Sequence, residues 1–104
     1  MIKDDVKTLL GIQDDERDGL IDLIVRLTSS RLNMLLGASE TPPELDFVVT
    51  EVSVIRFNKI GSEGSVSHSA GSESLSFSDD DFASYMSEIR AYQAAKGQRR
   101  LRFL

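Results

Sequence analysis

Residues 45–60 read LDFVVTEVSVIRFNKI, and the fold turns on whether this run is a strand or a helix. Its β-branched residues Val48, Val49, Val52, Val54 and Ile55 favour extended backbone. Length decides against that: sixteen residues without a turn signal exceed a usual strand. Read as a helix, Leu45, Val48, Val52 and Ile55 form one apolar stripe, while Phe47, Val54 and Phe57 fall off it. A helix apolar on two sides is either central in its own domain or packed against another subunit. A central helix with some subunit contact is expected.

Toward the C-terminus the helix ends abruptly. Eight of the eighteen residues from Gly61 to Ser78 are serine, yet Val66, His68 and Ala70 alternate with serines, as do Leu75 and Phe77. That period of two, broken by Ala70-Gly71-Ser72, reads as a strand-like hairpin or a long ordered loop on a helical body. Composition alone fits a Gly/Ser linker equally. Ser78 and Asp81 then form a start resembling a capping box. Phe82, Tyr85, Met86, Ile89 and Tyr92 keep helical spacing, and Gly97 is placed to stop that helix. The tail Gln98–Leu104, QRRLRFL, interleaves Arg99, Arg100 and Arg102 with Leu101, Phe103 and Leu104. Three large apolar side chains beside three arginines fit a segment that adds to a partner's surface better than one that merely frays.

The run Arg56, Phe57, Asn58, Ile60, Gly61, Ser62, Glu63, Gly64, followed by Ser76, Phe77 and Asp79-Asp80-Asp81, resembles the small head–tail connector proteins of tailed bacteriophages and prophages. The order of the flanking helices fits too, so the resemblance covers nearly the whole chain. It implies a structural virion-assembly protein that binds below the portal once DNA is packaged and forms a ring joining head to tail. The implied partners are other copies of itself, the portal protein and a downstream tail-completion or stopper protein. The implied location is the head–tail interface of the virion, with the host cytoplasm before assembly. On this basis the contact residues are expected to be Arg56, Phe57, Glu63, Leu75, Phe77, Arg99, Arg100, Arg102 and Phe103.

Toward the N-terminus, Ile2, Val6, Leu9 and Leu10 recur at helical spacing, and Gly11 sits where a C′ glycine stops a helix. So short a helix is marginal alone and must dock. Asp14 reads as the N-cap of a second, longer helix ending at Gly37, with Leu20, Ile24, Leu27 and Arg31 in a row and Leu23 beside them. The cluster Asp14-Asp15-Glu16-Asp18 lacks the register and distal Glu of a calcium loop and reads as a solvated helix start. Thr41 can cap the next helix, with Pro42 or Pro43 in its first turn.

The expected architecture is therefore all-α: one domain over 1–104, four helices near 2–10, 14–36, 43–60 and 79–96, a projecting loop at 61–78 and a tail at 97–104. Its expected core is Ile24, Leu27, Val48, Val52, Ile55, Phe82 and Ile89. A chain of 104 residues supports one modest core and often gains stability by association. The net charge of −5 is uneven: residues 1–52 carry five Lys/Arg against eleven Asp/Glu, and residues 53–104 carry seven against six. An acidic front and a basic end can complement each other between copies.

The acidic balance argues against general affinity for nucleic acid. Absence of cysteine removes disulfide and thiolate sites, and no apolar run reaches the length of a membrane span. His68 is the only histidine, and neither a Gly-x-Ser-x-Gly elbow nor a third triad member accompanies it. Gly61-Ser62-Glu63-Gly64 lacks the Gly-Lys-Ser/Thr end of a phosphate loop. No enzyme activity, metal, membrane partner, sequence-specific nucleic acid or cofactor is expected. The alternative function is a small nucleic-acid-binding or packaging accessory protein using the basic tail.

Overall fold

A computed structural model describes residues 2–62 and 79–102. Among these residues are four α-helices: α1 (Ile2–Leu10), α2 (Asp18–Leu36), α3 (Asp46–Ser62) and α4 (Met86–Arg102). A 3₁₀ turn over Pro43–Leu45 leads into α3, and a longer one over Asp79–Tyr85 leads into α4. Among the described residues there is no strand. Residues 63–78, where a hairpin or loop is expected, lie outside the described residues.

The run 45–60 is helical, and α3 is the central element, packed by α1, α2 and the Asp79–Tyr85 turn. Thr50, Ser53 and Arg56 are its buried polar residues, and Val48, Val49 and Val52, preceded by Leu45, are the buried apolar ones. Leu32 of α2, Phe82 of the turn and Ile89 of α4 close one cluster with them. Full burial of each such aliphatic or aromatic side chain contributes about 1.5–3 kcal/mol, which overrides the weak strand preference of the valines.

Two expected core positions differ. Leu27 is 41% exposed, and Ile55 is only partly buried. On α2 the inward row is Ile21, Ile24, Thr28 and Leu32, which shares Ile24 with the expected row and otherwise lies one residue on from it. Leu27 and Met34, seven apart, lie at its outer edge, and Arg31 is exposed with them. The shift brings Thr28 inward, where its hydroxyl accepts a hydrogen bond from Arg56.

Helix boundaries follow local chemistry. Gly37 adopts φ 68° after α2, its N–H on Met34 O and that of Ala38 on Asn33 O, a left-handed stop that glycine takes without strain. Gly11 does the same after α1 with φ 71°. The start of α2 is corrected: residues 14–17 form a turn and the helix begins at Asp18. Asp14 caps nothing in α2; its carboxylate accepts from Glu16 N–H in a local turn that competes with helix. Thr41 likewise does not cap, since its hydroxyl bonds the Asn33 side chain, whereas Pro43 takes the first helical position as expected. Gly97 does not stop the last helix, which continues to Arg102. One glycine inside a helix costs only about 1 kcal/mol, too little to end it. Ser78 lies outside the described residues, and Asp81 faces the core instead of capping.

Candidate functional site

Val52 and Arg56 stand one turn apart on α3, so Arg56 continues the buried face and is itself 1% exposed. Its Nε donates to Asp81 Oδ2 at 3.0 Å and its Nη1 to Thr28 Oγ1 at 3.2 Å. The guanidinium carbon lies 5.3 Å from the Phe82 ring centroid. Lys59, one turn nearer the end of α3, donates to the other Asp81 oxygen at 2.5 Å. Burial opposes the charge on Asp81, but the hydrogen bonds from Lys59 and Arg56 outweigh it and hold the carboxyl below its ordinary range. The cluster thus joins α2, α3 and the turn into α4. Beside it, the buried Ser53 hydroxyl has no hydrogen-bond partner among the described residues.

The opposite end of α3 is open. Asp5, Thr8 and Leu9 of α1 face Asp46, Phe47, Thr50 and Glu51 of α3 across a groove of about 410 Å³. Leu9 is 61% exposed and Phe47 40%, so the groove presents apolar surface, and the acidic residues Asp5, Asp46 and Glu51 line it with them. Tyr85 closes one side, its ring edge-on to Phe47 at 6.4 Å and its hydroxyl donating to Glu51 at 2.8 Å. Burial first, then the Glu51 carboxylate, pushes the phenol up to about 12, so it remains a donor at neutral pH. Three other carboxylates of the acidic front are paired within the domain: Lys7 bonds Asp18 at 2.7 Å and Asp15 at 3.2 Å, and Lys3 reaches Asp18 and Asp22. These pairs dock the short α1 on α2, which supplies the support it lacks alone.

Of the expected contact residues, Arg56 is turned into the domain. Phe57 is half-buried, with the Arg17 guanidinium 5.8 Å from its ring. Arg99, Arg100 and Arg102 lie on the last turns of α4. Glu63, Leu75, Phe77 and Phe103 lie outside the described residues. Neither the Arg56–Asp81 pair nor the groove emerges from the sequence reading. The pair had a signal: an arginine in register with Val48 and Val52, and an acidic run after the serine-rich segment.

An all-helical arrangement built on a central helix, with a polar joint and an exposed apolar groove, fits a class of assembly proteins. Comparison with family models assigns the class: the model described as phage gp6-like head-tail connector protein matches residues 4–93. The chain belongs to that family, and so to the structural proteins of phage assembly at the head–tail junction. Searches of curated proteins and of solved structures gave no match.

Proposed function

We propose that this chain binds below the portal vertex after DNA packaging and closes into a ring that joins head to tail. The family assignment over residues 4–93 carries the reading. The distribution of surface features supports it. A closed ring needs two different faces of one subunit to meet, and this subunit presents a groove lined in part by acidic residues at one place and an arginine-bearing helix end at another. The partners in this reading are neighbouring copies, the portal and the next tail component, which the segment 61–78 would meet. The protein waits in the host cytoplasm and ends in the virion.

The test is co-sedimentation with portal-bearing, DNA-filled heads, with electron microscopy of the pelleted particles. A ring of added density beneath the portal is expected; protein left in the supernatant, or bound elsewhere on the head, overturns the reading. A salt-dependent shift of generic DNA by the protein alone would instead favour the packaging-accessory alternative.

A further inference from the structure

We infer that the groove between α1 and α3 receives the Arg99–Leu104 end of a second copy of this chain. The inference rests on the ring reading and names the contact that would join adjacent subunits. The groove supplies exposed apolar surface in Leu9 and Phe47 and three acidic lining residues in Asp5, Asp46 and Glu51. The sequence RRLRFL supplies the complement, three arginines interleaved with Leu101, Phe103 and Leu104. Opposite charge steers the encounter and fixes register, while an aromatic or leucine anchor gives the contact area.

Geometry decides that the donor is another copy. Tyr85, which flanks the groove, immediately precedes α4. Continuous helix from Met86 to Arg102, at 1.5 Å per residue, carries that end about 24 Å away along the axis. From there Phe103 and Leu104 can reach at most about 7 Å further, too little for these residues to return to the groove. A chain therefore cannot fill its own groove without breaking α4. Groove and tail are different faces, so their pairing is head-to-tail, the kind that propagates to a ring.

The chain has no native cysteine, which makes the test direct. One protein carries Leu104→Cys, leaving Phe103 and the arginines in place. A second carries Thr8→Cys on the groove wall, and a control carries Met34→Cys, at 75% the most exposed of the large apolar side chains described. Mixed at high concentration with diamide and without heads, the 104–8 pair should cross-link about tenfold faster than the 104–34 pair, a discrimination of one well-placed anchor. The preference should collapse in 1 M salt, where the Debye length is roughly 3 Å, and when Asp5→Lys and Asp46→Lys are added to the Thr8→Cys partner. Equal rates at positions 8 and 34 overturn the inference. So does rapid internal closure of one dilute chain carrying both Thr8→Cys and Leu104→Cys. Because no head is present, a negative result with heads still binding the native protein removes the groove contact and leaves the ring reading standing.

Discussion

Arg56 and Asp81 are nearly dry, with side chains 2% and 4% exposed. Arg56→Ala leaves the Asp81 carboxylate with Lys59 as its remaining cation, so it should destabilise by about 3 kcal/mol, the lower end for breaking a buried pair. Combining Arg56→Met with Asp81→Leu should recover much of that loss, because no unpaired charge remains; denaturant melts of the two singles and the double measure the coupling. The pH dependence has a definite sign. The folded carboxyl of Asp81 lies below its ordinary value, so its contribution is complete above the unfolded pKa of about 3.9 and fades as pH falls through the lower folded value. The stability gap between the native chain and Asp81→Asn should therefore narrow as pH is lowered from about 5 to 2. A gap that is constant across that window would exclude an ionised Asp81 as the source. Ser53 points the other way: its buried hydroxyl has no partner among the described residues, so Ser53→Ala should be neutral or stabilising, by up to about 1 kcal/mol in the same melts.

At the scale of elements, glycine and length were readable signals, whereas register was not. Gly11 and Gly37 stop α1 and α2 where the sequence places them, because the left-handed stop is a local property of one residue. Gly37→Ala should lower stability by about 1 kcal/mol through backbone strain alone, since no atom lies within 4 Å of the added methyl. Thermal melts check it; a larger loss would imply a clash that the structure does not contain. The inward face of α2 was misread because leucines at 20 and 27 outscore a threonine by hydrophobicity. What turns Thr28 inward is a guanidinium arriving from α3, twenty-eight residues away in sequence, which periodicity does not register. Gly97 was misread for the complementary reason: a glycine permits a stop and does not impose one. The groove escaped the sequence reading because Leu9 and Phe47, from separate helices, become one surface only when α1 docks on α3.

At the scale of the whole molecule, stability and assembly should be separable along α4. Ile89 is buried and Tyr92 half-buried, but Ala91, Gln93, Ala94, Ala95 and Lys96 are exposed, so among the side chains described on α4 none after Tyr92 faces the core. Val52 marks the other limit: it is fully buried at the centre of the cluster, and Val52→Asp should unfold the domain by burying an unpaired charge. Removing Gln98–Leu104 uncovers none of the described core, and its effect on stability should stay within about 0.5 kcal/mol, the range of ordinary surface changes. The same truncation takes away every arginine beyond Arg90 and, on the groove contact proposed above, the segment that reaches the next copy. It should therefore melt with the native protein yet fail to sediment with portal-bearing, DNA-filled heads. If it sediments as the native protein does, the arginine-rich end has no part in assembly. If it unfolds, that end belongs to the folded body, and the division of labour along α4 is wrong.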